Sequence, residues 1–293
     1  MRRGTIPVDD LDGGLDLQAT IESGQTYLWR RADGDTYATA GASGGTSWYE
    51  TALDGEVLRV RQRDGVLEWE ASTDAESRIA ALLRLDDDLS AVERAAPADP
   101  LVRAAFDAYR GMRIVRDPFF PCLVSFICSA QMRVGRIFAM QTALREAYGE
   151  RVDFAGRTYH DFPTPSALAA ATEADLRELG LGYRAPYVAR TAAMVADGEL
   201  TRADVAGRDY EAAREAATGF VGVGEKVADC VLLFSLGYLQ AVPLDTWIRG
   251  AIAEHYPDCE RGSYAETSRA IRARFGGDVA GYVQTYVFHH LRE

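Results

Sequence analysis

Of the 32 Lys and Arg residues in this chain, one alone is a lysine. Lys226 sits in Phe220-Val-Gly-Val-Gly-Glu-Lys-Val-Ala-Asp-Cys230-Val-Leu-Leu-Phe234, directly after two glycines. A guanidinium stays protonated, whereas an amine can lose its proton and attack carbon. Lys226 is therefore a candidate nucleophile, against the alternative of a solvated lysine at a helix end. Cys230 follows four residues later, so a helix through this stretch would carry an amine and a soft thiol on one face. The alternative for Cys230 is a small core residue between Ala228 and Val231. A helix starting after Gly224 would place its positive end beside Lys226, which disfavours the charged amine and favours the nucleophile. Downstream, Val242-Pro243-Leu244 sets an extended segment before Asp245, which is suited to cap the helix carrying Trp247, Ile248 and Ile252. A carboxylate held there can also face a developing positive charge.

The elements that would position these groups are readable from local signals. Tyr210–Thr218 is amphipathic, Val221-Gly222-Val223-Gly224 is a turn, and Glu225 opens a second helix, which together make a helix–hairpin–helix. Gly222 and Gly224 leave backbone amides bare, so the turn can hold a phosphate; glycines that merely bend the chain are the alternative. Residues 1–72 are expected to be β structure, with strands at Tyr27–Arg31, Trp48–Thr51, Val57–Gln62 and Val66–Glu70. Turns at Asp33-Gly34, Gly44-Gly45, Asp54-Gly55 and Asp64-Gly65 would link them. Helical spacing begins near residue 74 and is expected to run almost to the end. Pro121 is predicted to open one helix, Thr164-Pro165 and Thr172-x2-Asp175 others, and Tyr183-Arg184 another with apolar positions at Tyr187, Val188, Ala192 and Met194. Ala130–Arg136 is too polar for core and reads as a tight connection facing a partner. The expected fold class is α+β: an N-terminal antiparallel β domain with a trailing helix over 1–95, then a mostly helical region over 96–293 in two lobes flanking a cleft.

The chain has 293 residues, 47% of them hydrophobic, enough for a sizeable core. Its net charge of −12 argues against a nucleic-acid partner only on average. Residues 1–100 hold 10 Arg against 20 Asp and Glu, whereas residues 101–149 hold 7 Arg against 3 acids, so the acidity belongs to the first third. Cys122, Cys128, Cys230 and Cys259 lack metal-ligand spacing and read as reduced thiols, with Cys122 and Cys128 in core and Cys259 in a loop. No apolar run is long enough for a signal core or membrane span, so an intracellular, soluble, cytoplasmic protein without a metal or cofactor is expected.

Taken together, Gly222-Val-Gly224-x-Lys226-Val-Ala-Asp-Cys230 and, after twelve intervening residues, Pro243-Leu-Asp245 resemble the helix–hairpin–helix DNA glycosylases, and within them the 8-oxoguanine DNA glycosylases. Ser23-Gly24-Gln25-Thr26-Tyr27-Leu28-Trp29, Phe126-Ile-Cys-Ser129, Leu179-Gly-Leu-Gly-Tyr-Arg184 and Gly281-Tyr-Val-Gln284-Thr-Tyr-Val-Phe288 resemble the same family in unchanged order. The resemblance implies Lys226 as Schiff-base lysine and Asp245 as catalytic aspartate. It implies that the Gly24 carbonyl accepts from the N7–H that 8-oxoguanine has and guanine lacks, that Cys230 and Phe288 sandwich the flipped base, and that Gln284 bonds its pairing edge. Gln284 and Phe288 stand four apart, on one helical face. By the same resemblance Tyr183 is a wedge, and Arg136 and Arg184 read the opposing cytosine.

Two positions depart from the family pattern. Ala130-Gln131-Met132-Arg133 replaces an asparagine-rich turn, leaving Gln131 as the donor toward the orphaned cytosine, and Trp247 stands where eukaryotic relatives carry a histidine that contacts phosphate. The implied function is a monomeric bifunctional enzyme that excises 8-oxoguanine opposite cytosine from duplex DNA through Lys226 and nicks the strand by β-elimination, acting also on abasic sites. Rival readings are a glycosylase of this fold for alkylated bases or oxidised pyrimidines, and a non-catalytic DNA-binding protein that leaves Lys226, Asp245 and the Gln284/Phe288 pair unexplained.

Overall fold

The computed structural model describes residues 1–34 and 45–292. Strands β1 (Arg2–Pro7), β2 (Arg30–Arg31), β3 (Tyr49–Leu53), β4 (Glu56–Arg63) and β5 (Val66–Ala71) form one antiparallel sheet in the order β1-β5-β4-β3-β2. The Asp-Gly pairs turn the chain as expected. Asp54, Gly55, Asp64 and Gly65 all take positive φ, the backbone that matches strand twist in a two-residue hairpin. Register follows, with Leu53 opposite Glu56 and Arg63 opposite Val66. The Gly44 half of the Gly44-Gly45 signal lies outside the described residues.

Several expectations for the N-terminal part are corrected. Arg2–Pro7, inside the stretch read as β structure, is an edge strand paired with β5 in keeping with that reading, whereas the following segments depart from it. Leu17–Glu22 is a helix inside the stretch read as all β, capped by Asp16, whose carboxylate accepts from the Ala19 N–H at 2.9 Å. Tyr27–Trp29 is buried irregular chain and only Arg30–Arg31 pairs as strand, because the preceding helix delivers the chain into the core rather than onto the sheet. A further hairpin, β6 (Arg151–Phe154) and β7 (Arg157–His160), interrupts the region read as helical. It turns at Ala155-Gly156 and packs Val152, Phe154 and Tyr159 against Ala52 and Val57 of the main sheet.

The helices carry the rest. Helix Pro100–Ala108, capped by Asp99, stacks Phe106 on Tyr286 of the C-terminal helix Ala280–His290 at 4.1 Å and 4°. The central helix starts at Phe119, not Pro121, and runs to Ser129; a proline in a first turn removes no helical hydrogen bond. Thr164 and Thr172 cap their helices, the second with a capping box to Asp175. Tyr187 faces out from helix Ala185–Ala196 with 38% exposure, contrary to its expected place on the apolar face. Cys259, expected in a loop, is buried in the short turn Pro257–Cys259.

Two contacts bring distant parts close. Arg113, fully buried, donates to the carbonyls of Asp12, Gly14, Arg84 and Asp87, so that one side chain ties three separate stretches of backbone together. At Gly281 a Cβ would stand 2.4 Å from Leu233 Cδ1 and 2.6 Å from the Leu239 carbonyl, so only glycine lets the C-terminal helix approach this near. One continuous apolar core joins the sheet to the helices. Among the described residues no helix is long and apolar enough to cross a membrane.

Candidate active site

Five segments far apart in sequence converge on one cavity. Gly24, Lys226, Cys230, Asp245, Gln284 and Phe288, singled out from sequence, all line it. Gln131, Arg136, Tyr183, Arg184, Gly222, Gly224 and Trp247 do not.

Each lining group is held by a local device. Gly24, at φ +87, follows the helix Leu17–Glu22, and its turn is pinned by Gln25. The buried Gln25 amide donates to the carbonyls of Thr20 and Arg113 and accepts from the Val115 N–H, each at 2.8 Å. Lys226 lies in the helix Glu225–Val231, half-buried, with Nζ 3.3 Å from Ser129 Oγ and 5.4 Å from the Phe126 ring centroid. An amine resting on an aromatic face and one hydroxyl has few competing partners. Cys230 stands one turn further along the same face; burial pushes its thiol up to about 12, with Lys226 pulling the other way, so it stays a neutral thiol. Asp245 caps the helix Thr246–His255, its Oδ1 accepting from the Ile248 N–H at 2.7 Å. Gln284 is buried and its Nε2 donates to Thr285 Oγ1 at 2.6 Å. Phe288 meets Trp247 edge-on at 5.9 Å and Phe275 at 6.1 Å.

Sequence reasoning missed Arg292 here. Its Nη2 lies 3.8 Å from Asp245 Oδ2, its guanidinium covers the Trp247 ring at 4.7 Å, and Nη1 comes within 3.4 Å of where a Gly24 Cβ would be. The available signal was spacing: Gln284, Phe288 and Arg292 repeat every four residues. Tyr27, Phe126, Ile248 and His289 are among the other lining residues.

The remaining candidates other than Trp247 form a second group. Arg184 is buried, stacks 4.3 Å over the Tyr183 ring and donates through Nη2 to the Ala130 carbonyl, while its buried Nε has no partner among the described residues. That bond ties the Ala130–Arg133 connection to the Gly180–Arg184 turn. Gln131, at φ +52, and Arg136 are exposed, and the Arg136 guanidinium lies beside Gly180. Tyr183 is 50% exposed and meets Tyr187 edge-on at 6.2 Å. Tyr187 in turn packs under Gly222, and Thr191 Oγ1 donates to the Val221 carbonyl at 2.7 Å, so helix Ala185–Ala196 carries the hairpin. Exposed aromatics beside arginines and glycine amides suit a stacked, anionic polymer. Among the described residues no cluster of three or more His, Cys, Asp or Glu could hold a metal ion.

A helix–hairpin–helix beside a lysine-aspartate cavity defines a base-excision DNA-repair protein of the HhH-GPD superfamily, and residues 124–275 match that superfamily. Residues 6–123 match the 8-oxoguanine DNA glycosylase N-terminal domain. The chain belongs to the 8-oxoguanine DNA glycosylase/lyase family within that superfamily. It is 32% identical to a probable N-glycosylase/DNA lyase of Methanothermobacter thermautotrophicus over 98% of this chain and 95% of that one. An N-glycosylase/DNA lyase of Arabidopsis thaliana is 28% identical, with 94% and 76% covered. The Clostridium acetobutylicum 8-oxoguanine glycosylase/lyase, solved with double-stranded DNA containing cytosine opposite 8-oxoguanine, superposes with a TM-score of 0.83 at 28% identity, covering 95% of this chain and 92% of that one.

Proposed function

We propose that this chain is a bifunctional DNA glycosylase that excises 8-oxoguanine opposite cytosine from duplex DNA and cleaves the resulting abasic site. The observation that carries the reading is the meeting of Lys226 and Asp245 with Gly24, Cys230, Gln284 and Phe288 in one cavity. Its likeness to the Methanothermobacter and Arabidopsis N-glycosylase/DNA lyases and to the Clostridium 8-oxoguanine glycosylase/lyase supports it.

In this reading the damaged nucleotide leaves the stack and enters the cavity, at a cost of a few kcal/mol. Its base lies between the Cys230 thiol and the Phe288 ring, Gln284 bonds the pairing edge, and the Gly24 carbonyl accepts from N7–H. Unmodified guanine would set two acceptors face to face there. Neutral Lys226 Nζ attacks C1′ as the bond from C1′ to the base nitrogen breaks; the base leaves with that electron pair and is protonated. Asp245 faces the positive charge that develops at C1′. Opening of the sugar gives an iminium on Lys226, loss of a C2′ proton expels the 3′ phosphate, and hydrolysis of the imine frees the lysine. Tyr183 fills the vacated stack, Gln131, Arg136 and Arg184 meet the widowed cytosine, the amides around Gly222 and Gly224 hold the backbone, and Trp247 packs beside Phe288. The enzyme works as a monomer on duplex DNA, in the compartment that holds the chromosome.

Borohydride trapping tests the nucleophile. Wild-type protein should give a covalent adduct with 8-oxoguanine duplex and Lys226→Gln none; an adduct that persists in Lys226→Gln would remove the assignment.

A further inference from the structure

Behind the cavity, a buried chain of hydrogen bonds joins the lysine helix to the aspartate segment. Asp229 lies in the helix that carries Lys226 and Cys230 and is completely buried. Its Oδ2 accepts from the Tyr264 hydroxyl at 2.7 Å and its Oδ1 from the Tyr210 hydroxyl at 2.7 Å. The same Tyr264 oxygen accepts the Leu244 N–H at 3.0 Å. Leu244 is the residue before Asp245. The Tyr264 hydroxyl therefore donates to one side of the site and accepts from the other. Tyr210 bonds the same carboxylate but reaches Ser268, at 3.5 Å, rather than the aspartate segment.

We propose that Tyr264, clamped by Asp229, is a positioning residue that fixes Asp245 relative to Lys226. The inference rests on the reading of Lys226 and Asp245 as the reacting pair. Pro243 has no N–H to give, so the Leu244 amide is the donor nearest Asp245 on its N-terminal side, and Tyr264 is its partner. On the C-terminal side the carboxylate is tied to the Ile248 amide, so the two bonds bracket Asp245. A displacement on the order of 1 Å at a reacting group lowers rate about 100-fold without any change in the chemistry available.

The pair of tyrosines supplies its own control, because each phenylalanine variant removes one hydrogen bond from the same carboxylate and only one touches the Asp245 segment. Tyr264→Phe should lower the single-turnover excision rate roughly 10–100-fold with duplex Kd within about 3-fold of wild type. Tyr210→Phe should stay within about 3-fold in both, with a comparable fall in Tm. Asp245→Asn is measured beside them, and Tyr264→Phe is added to it. If Asp245→Asn excises normally, the reading of the pair fails. If Asp245→Asn is slow but Tyr264→Phe is not, or Tyr210→Phe is equally slow, or Tyr264→Phe slows Asp245→Asn further by its full factor, the positioning inference fails. Should Tyr264→Phe melt below the assay temperature, Asp229→Asn replaces it, with a smaller loss of rate expected and a wild-type rate overturning the inference.

Discussion

The two hairpin glycines should respond in opposite ways to alanine. Gly222 sits at φ +84, and a Cβ there would lie 2.6 Å from Tyr187 Cβ and 2.8 Å from its Cγ. The left-handed backbone costs an L-residue about 1–2 kcal/mol. Tyr187 Cβ belongs to a helix stem that cannot swing aside, and overpacking of that kind costs about 1–3 kcal/mol more. Gly222→Ala should thus lose about 2–5 kcal/mol, which lowers Tm by roughly 5–20 °C in a chain of this size. Gly224 is different: at φ −92 and ψ 179 its backbone is open to any residue, and nothing lies within 4 Å of its Cβ position. Gly224→Ala should cost no more than about 1 kcal/mol of helix capping. If the open space is where a DNA phosphate seats on the hairpin amides, the methyl displaces it, and loss of a hydrogen bond to a charged group, about 1.5–3 kcal/mol, weakens Kd roughly 10–100-fold. Thermal melting and titration of a duplex holding a stable abasic analogue, both in about 0.15 M salt, separate the two. Gly224→Ala binding as tightly as wild type would refute a DNA role for that glycine, and Gly222→Ala melting unchanged would refute the steric argument.

Two further outcomes follow from buried groups. Gln284→Ala should slow 8-oxoguanine excision roughly 10–100-fold, the worth of a lost base-edge contact, yet cleave a preformed abasic site nearly as fast as wild type; equal losses on both substrates would contradict base reading. Asp117 is buried in the core, and burial pushes its pKa up to about 7 from 3.8, with Thr26 and Arg145 pulling it partly back. The folded state therefore keeps a proton that the unfolded chain sheds, so stability from this group falls as pH rises from about 4 to about 7 and then levels off. Asp117→Asn should be more stable than wild type at pH 8 by up to about 4 kcal/mol, with the gap closing near pH 4. Denaturant midpoints that differ by the same amount at both pH values would exclude this account.

Much of the site was legible because its signals are local. Lys226 with Cys230 and Gln284 with Phe288 share helical faces by spacing alone, Asp245 announces a cap after Val242-Pro243-Leu244, and the Asp-Gly pairs dictate two-residue turns. Such rules act within one turn of helix or one hairpin, where covalent geometry already limits the choices. They carry no information on strand partners: β1 pairs with β5 across more than fifty residues, and β6 with β7 is stable as a hairpin because it buries against Ala52 and Val57. Burial was equally hidden. The same helix that turns Val188 inward presents Tyr187 to solvent beneath Gly222, while Arg184 is drawn into the protein by the Ala130 carbonyl. Residue types and local spacing thus identify which side chains have the chemistry and which turns and helix faces hold them. Long-range packing alone makes Gly24, Lys226 and Gln284 meet, brings Arg292 to Asp245, and lets Tyr264 span Asp229 and Leu244. Those contacts exist because a shared core forces the segments together, and close packing specifies neighbours that no local spacing encodes.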